Sequence, residues 1–157
     1  MNIMNINYIE YSINTSSLDI FFAGCNNRCT NCYNPNLMSF ENGSEHTLWF
    51  PKIKHYLKEN NKLIKRIFLV GGSVNHQNSY ELEIFLHFLR EECNKYNILI
   101  YAFCGEEINN VQEVLKKYCD RIKTGAYIPE MKCENNIQEG IKLATSNQRV
   151  LVKGKDY

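Results

Sequence analysis

The sequence predicts an α/β fold in which a mainly parallel sheet forms an open, partial (βα) barrel within a single domain, residues 1–157. Apolar runs typical of buried strands alternate about three times with stretches of helical periodicity, which indicates βαβ units. The 157 residues suffice for one core but not for an eight-stranded barrel, which needs about 250 residues. Several predicted strands end in glycine or cysteine, which places the chemistry at the carboxyl ends of a parallel sheet.

The predicted strands are short runs rich in Ile, Val, Phe and Tyr, bounded by polar residues or glycine. Residues 3–13 alternate only in their second half and predict an N-terminal extended segment. Residues 18–22 and 98–103 are almost continuously apolar, as in strands buried on both faces of a parallel sheet. The full set in chain order is residues 3–13, 18–22, 64–72, 98–103, 121–127 and 149–153.

Three helices are predicted between these strands from apolar residues at helical spacing. The first has Thr47 as its N-cap. Together the helices cover residues 47–59, 79–96 and 108–118. Glu106 and Glu107 indicate a solvated helix start, where acids favour the positive end of the helix dipole. Residues 130–139 are polar and predict a loop.

Composition excludes several classes of function. The net charge is +1 with acids and bases interspersed, so no basic face favours a nucleic acid. No apolar run approaches the roughly 20 residues that span a membrane, and the N-terminus lacks a basic start with a long apolar region. Seven cysteines without a secretion signal argue against a disulfide framework. We therefore expect a soluble protein of the cytoplasm.

Three of the cysteines form one motif, Cys25-x3-Cys29-x2-Cys32, directly after the apolar run at residues 18–22. Thiolates are the ligands of iron-sulfur clusters, and with no fourth cysteine in range one iron would lack a protein ligand. A zinc site usually has four closed ligands in pairs, and no second pair follows. The alternatives are a zinc site or three unrelated core thiols, and the predicted cluster loop covers residues 23–35.

This motif and the segment Cys32-Tyr33-Asn34-Pro35 resemble the activating proteins of anaerobic ribonucleoside-triphosphate reductase, which are radical S-adenosylmethionine (SAM) enzymes. The resemblance implies a [4Fe-4S] cluster on Cys25, Cys29 and Cys32, with the fourth iron chelated by the amino and carboxylate groups of SAM. An electron delivered through the cluster then splits SAM into methionine and a 5'-deoxyadenosyl radical, so the cofactor carries the chemistry. The resemblance also implies a partial barrel of the radical SAM type.

Later segments continue the resemblance in order, from about residue 20 to 152. Leu69-Val70-Gly71-Gly72 is similar to the family's Gly-Gly-Asp/Glu segment, where glycine backbone approaches SAM and the acid meets its amino group. Residues 101–105, 120–127 and 145–150 are similar to three further segments of the activases. The ring of Tyr33 either packs on the loop or lies near the adenine of SAM. The full set of candidate cofactor-binding residues is Tyr33, Asn34, Gly71, Gly72, Ser73, Asn75 and Cys104.

Three residues depart from the family's pattern. Ser73 stands where an Asp or Glu is expected, so a charge-assisted hydrogen bond to the SAM ammonium is missing, and Ser73 or Asn75 would accept it more weakly. Thr124 replaces an acid and Cys104 replaces a threonine. Cys104 either packs in the core or contacts the cofactor. His76 either lies apart from the site or reaches it.

The resemblance implies an activase that abstracts a hydrogen atom from a glycine of a glycyl-radical enzyme, the large subunit of anaerobic ribonucleotide reductase. It also implies a reductant such as flavodoxin or ferredoxin. One alternative is a radical SAM enzyme for another peptide or metabolite, which the changes at Ser73, Cys104 and Thr124 favour. The other is a non-catalytic iron-sulfur binding module, which a fourth protein ligand would favour.

Overall fold

The computed structural model describes residues 1–9, 16–29, 32 and 34–157. The strands found there are β1 (Asn2–Ile9), β2 (Ser17–Phe22), β3 (Ser44–Glu45), β4 (Arg66–Gly71), β5 (Leu99–Phe103), β6 (Arg121–Thr124), β7 (Ile137–Gln138), β8 (Ile141–Lys142) and β9 (Arg149–Val152). The α-helices are α1 (Phe50–Glu59), α2 (Ser79–Asn94) and α3 (Glu113–Tyr118). None of the helices in this described part has the length and apolar character needed to span a membrane.

Each predicted strand and helix is present, but several ends differ. Thr47 is not the N-cap of α1, because it lies within a 3-10 turn, His46–Trp49, that precedes the helix. The strand predicted at 121–127 ends at Thr124, since Gly125 adopts a φ of +88°. The third helix is shorter than predicted because Ile108–Asn110 forms a separate 3-10 turn.

The structure also differs from the prediction at Glu106 and in residues 130–139. Glu106 does not begin a helix, since the 3-10 turn starts after it, and its side chain is largely buried. The loop predicted at 130–139 contains strand β7, which pairs with β8 in a small hairpin. Residues 10–13 of the predicted N-terminal segment lie outside the described residues.

The main sheet has the strand order β3-β1-β2-β4-β5-β6-β9. Its four central strands, β2, β4, β5 and β6, run parallel, whereas β1 and β9 pair antiparallel on either side. The predicted α/β class with a mainly parallel sheet is therefore observed. The curvature of a partial barrel stays a prediction. Because the central strands are parallel, their carboxyl ends meet at one edge of the sheet.

Alternate residues of the central strands face two separate apolar layers. In β4, Ile67 and Leu69 pack in the main core with the three helices, while Phe68 and Val70 belong to a second cluster. The buried members of that second cluster are Phe68, Tyr101, Ile141, Leu143 and Val150. The helices thus cover one face of the sheet, and the C-terminal hairpin region packs on the other.

Candidate iron-sulfur and cofactor site

The cysteine loop begins with a sharp turn directly after β2. Gly24 has a φ of +97°, and a Cβ at this position would lie 2.1 Å from the ring of Phe40. Only glycine fits such a turn without strain. The N–H of Gly24 donates to the carbonyl of Leu37 at 2.8 Å, and the N–H of Cys25 donates to that of Met38 at 3.1 Å. These bonds fix the start of the loop against the segment that follows it.

The thiols of the motif are free and lie near one another. Cys25 and Cys32 are half-buried, and Cys29 is exposed. Partial burial of its sulfur, and then the negative charges of the Cys25 and Cys32 thiolates, raise the pKa of Cys29. Coupling of this kind requires the sulfurs to be close in space.

The three thiols do not form a closed site for one metal ion. Among the residues that the structure describes, no three His, Cys, Asp or Glu side chains are grouped so as to hold a single ion. In a four-iron cluster each cysteine binds its own iron, so the thiolates need not converge on one point. A structural zinc ion requires such convergence. The arrangement of the three thiols is thus compatible with a four-iron cluster.

A cleft of about 540 Å³ opens beside the cysteine loop. This volume lies within the range of about 300–1,000 Å³ that is usual for cofactor sites. The loop contributes Cys29, Cys32 and Asn34, and the ends of β4, β5 and β6 contribute Gly71, Phe103 and Lys123. The ends of three parallel strands therefore lie beside the cysteine loop, although of the glycines and cysteines predicted to end these strands only Gly71 lines the cleft.

Gly71 and Gly72 allow close packing of the end of β4 against the chain that enters the cysteine loop. A Cβ on Gly72 would lie 2.5 Å from the carbonyl oxygen of Gly24, and one on Gly71 would lie 2.9 Å from that of Phe22. The N–H of Gly72 also donates to the Phe22 carbonyl at 2.7 Å. Packing within the protein therefore explains both glycines, and their contact with SAM stays a prediction.

Ser73 and Asn75 follow the glycine pair and differ in how their polar atoms are used. Ser73 is 5% exposed, and its Oγ has no hydrogen-bond partner among the described residues. A buried hydroxyl without a partner costs free energy, so this atom is suited to a bond with a bound group. The Asn75 amide instead donates to the carbonyl of Asn110 at 3.0 Å and accepts from the N–H of Gln112 at 2.8 Å. The Asn75 side chain is thus already engaged within the protein, and its Oδ1 retains one lone pair for a further hydrogen bond.

The other predicted cofactor contacts have different placements. Cys104 is 1% exposed and packs in the main core, where burial raises the pKa of its thiol to about 12. The core alternative is therefore favoured for this thiol. Asn34 is exposed and lines the cleft, whereas within the segment 71–75 only Gly71 does so. Tyr33 lies outside the described residues.

Lys123 is a basic residue of the cleft that sequence reasoning missed. Its Nζ donates to the carbonyl of Gly125 at 2.6 Å and to that of Cys104 at 3.3 Å. Burial lowers the pKa of Lys123 to about 8, although nearby negative groups, including Glu106 and Cys29, act in the opposite direction. The residue thus holds positive charge beside the cysteines. A lysine at the end of a short strand gives no sequence signal for this role.

Gln148 ties the C-terminal segment to the cleft. Its Oε1 accepts from the N–H groups of Ala144 and Thr145 at 3.0 Å and 3.3 Å. Its Nε2 donates to the carbonyl of Gly125 at 3.4 Å, just after β6. Gln148 also lines the cleft. The segment at 145–150 that resembles the activases therefore helps to build the wall of the site.

Comparison with known protein families gives one finding that bears on the site. A family model described as a 4Fe-4S single cluster domain matches residues 16–151. The match contains the cysteine loop and each strand end that lines the cleft. No match was found among curated proteins.

Proposed function

We propose a function from one premise: this chain belongs to the family of 4Fe-4S single cluster domains and binds an iron-sulfur cluster. On this premise Cys25, Cys29 and Cys32 hold the cluster, and SAM binds next to it in the cleft. The chain then acts as a radical SAM activase of anaerobic ribonucleotide reductase. The observation that carries the proposal is a cleft lined by Cys29 and Cys32, with no other Cys, His, Asp or Glu among its described lining residues.

The residues of the site have separate tasks in this proposal. When bound, the cluster and SAM supply reductive cleavage of SAM and, from it, hydrogen-atom abstraction. The three thiolates hold the cluster, and Lys123 places positive charge beside this anionic group. Phe103 and Tyr127 line the cleft, where their rings would limit the access of water once the cofactor is bound. The unpartnered hydroxyl of Ser73, two residues after the cleft-lining Gly71, is proposed as a weak acceptor for the SAM ammonium.

A partner protein suits the exposed side of this site. Cys29 and Asn34 are exposed where the loop borders the cleft. A glycine-bearing loop of a large enzyme can approach from this side and supply the missing wall. We therefore propose the large subunit of anaerobic ribonucleotide reductase as the partner, with flavodoxin or ferredoxin as the source of the electron.

A second candidate is a radical SAM enzyme that acts on another peptide or on a metabolite. The observation that favours it is the loss of acids at two positions near the strand ends, Ser73 and Thr124. Both side chains are buried and uncharged, so neither position supplies the negative charge that the family has there. SAM cleavage is common to both candidates, and only the hydrogen donor separates them.

The cleavage step is tested by anaerobic reconstitution with iron and sulfide, addition of a reductant and SAM, and measurement of 5'-deoxyadenosine. Each of Cys25→Ala, Cys29→Ala and Cys32→Ala should abolish the product and the broad visible absorbance of the cluster. The matched control is Cys133→Ser, which changes a half-buried loop thiol outside the cleft. Full product from any variant of the motif would refute the ligand assignment.

The partner is tested by adding the reductase large subunit to the same mixture. The activase proposal predicts a doublet electron paramagnetic resonance (EPR) signal of a glycyl radical on the large subunit. Product without this signal would favour the second candidate. If the fully reconstituted protein forms no 5'-deoxyadenosine, the chain is a non-catalytic iron-sulfur binding module.

A further inference from the structure

Two side chains from neighbouring strand ends hold the segment that joins the first two cysteines. The Nδ1 atom of His76 accepts a hydrogen bond from the main-chain N–H of Asn26 at 3.0 Å. The Nε2 atom of the same ring lies 3.0 Å from Oε1 of Glu106. The side-chain amide of Asn27 donates to this same oxygen at 2.8 Å. Two successive loop residues are thus bonded to one histidine–glutamate pair.

These bonds determine which nitrogen of the His76 ring carries the proton. Because Nδ1 accepts from the main chain, the proton of the neutral ring lies on Nε2 and is donated to Glu106. A carboxylate that orients an imidazole is the usual outer-shell arrangement at metal sites. Here the imidazole is not a ligand, since both of its nitrogens are already used, and it acts on the loop that bears the ligands.

The pair is largely removed from solvent and is built into the strand ends. The side chains of His76 and Glu106 are 17% and 15% exposed. The main-chain carbonyl of Glu106 accepts from the N–H of Gly125 at 3.1 Å, which connects the pair to the end of β6. A Cβ at Gly105 would lie 2.6 Å from Nδ2 of Asn27, so glycine lets the amide reach Glu106. The ends of β4, β5 and β6 therefore converge on the loop.

We propose that His76 and Glu106 are positioning residues that hold the cysteine loop in the conformation that binds the cluster. Asn27 is the loop-side partner of the pair. The proposal requires cluster binding alone, so it stands or falls independently of SAM cleavage. Removal of outer-shell groups at metal sites changes metal affinity or activity by about 10- to 100-fold.

The proposal is tested by the rate at which a reconstituted cluster is lost to an iron chelator without oxygen, followed by visible absorbance. His76→Ala, Glu106→Ala and Asn27→Ala should each lose the cluster about 10- to 100-fold faster than the wild type. His76→Gln should restore part of the protection, because its amide offers both an acceptor and a donor. The control is His87→Ala, which changes a histidine 61% exposed on α2.

The double variant His76→Ala/Glu106→Ala tests whether the two residues act on the loop as one network. Residues that act through one network give a double variant no faster than the faster single variant, whereas independent effects multiply. Multiplied rates, or single-variant rates within about twofold of the wild type, would overturn the proposal. If an alanine variant at His76 or Glu106 fails to fold, Asn27→Ala decides the matter, since it changes a loop side chain outside the core.

Discussion

At the residue scale, the hydroxyl of Ser73 allows a direct test of the proposed SAM contact. It is buried and has no partner among the described residues, at the position where the resemblance places an acid. A carboxylate there should accept a charge-assisted hydrogen bond from the SAM ammonium. Such bonds contribute about 1.5–3 kcal/mol, so Ser73→Asp should lower the Kd for SAM about 10- to 150-fold.

Anaerobic titration of SAM into reconstituted wild type and Ser73→Asp measures this change. Ser73→Asn is the control, because it adds a side chain of similar size without the charge and should gain little affinity. If Ser73→Asp binds SAM no more tightly than the wild type while its cluster is intact, Ser73 is not part of the SAM site. Gly71 would then be the cleft-lining residue of this segment that remains available to the cofactor.

Lys123 should influence the reduction potential of the cluster. With a pKa of about 8, its ammonium is largely charged at pH 7, and it lines the same cleft as Cys29 and Cys32. Positive charge stabilises the more negative, reduced cluster, since cluster potentials depend on nearby charge. Lys123→Met should therefore make the reduction potential more negative. A redox titration monitored by EPR measures it, with Lys117→Met as a surface control, and an unchanged potential would contradict this role.

The cysteines could be predicted from the sequence because their spacing is a local pattern on one loop. Glu106 and Lys123 could not, because their roles arise from contacts between strand ends that are distant in the chain. Asn27 and Glu106, for example, are 79 residues apart. The sequence predicted a solvated position for Glu106, and its burial became visible only when the strand ends were placed together.

At the element scale, α2 supports the strand that leads into the cysteine loop. Phe85 of α2 is fully buried, and its ring lies edge-on to that of Phe22, the last residue of β2, at a centroid distance of 5.5 Å. The ring centroid of Phe50 in α1 lies 6.2 Å from that of Phe85. An aromatic cluster therefore joins two helices to β2 just before the loop begins.

Phe85→Ala should lower the free energy of unfolding by about 3–5 kcal/mol, since it leaves a cavity in the main core. Urea denaturation of the reduced, cluster-free protein measures the loss. Ile84→Ala is the control on the same helix, because Ile84 is partly exposed and its replacement should change stability by only about 0.5 kcal/mol. Equal effects of the two substitutions would show that the aromatic cluster does not support the fold.

The central strands and the helices were predictable because long apolar runs and helical spacing are strong signals. The hairpin of β7 and β8 was not, because each strand has two residues in a polar stretch. Side-chain bonds hold it in place. The Oε1 of Gln138 accepts from the N–H of Val150 at 2.9 Å, and its Nε2 donates to Asn136 at 2.7 Å. Such bonds leave no periodic pattern in the sequence.

At the scale of the whole molecule, the cleft beside the cysteines opens at the carboxyl ends of β4, β5 and β6. A second cleft of about 460 Å³ lies between the central strands and β8, and it shares Phe103, Ile141 and Lys142 with the cleft beside the cysteines. The alternation of strands and helices predicted the parallel sheet. It could not establish a partial barrel, because curvature depends on strand tilt and stagger, which apolar patterning does not encode.

The central claim is that three cysteines hold a four-iron cluster and leave one iron for the methionine part of SAM. The most direct test is electron–nuclear double resonance on the reduced cluster with SAM labelled with ¹⁵N at its amino group. We predict a resolved ¹⁵N coupling, which would show that the amino group of SAM is bound to the cluster. A reduced four-iron cluster with no such coupling and a spectrum unchanged by excess SAM would contradict the account.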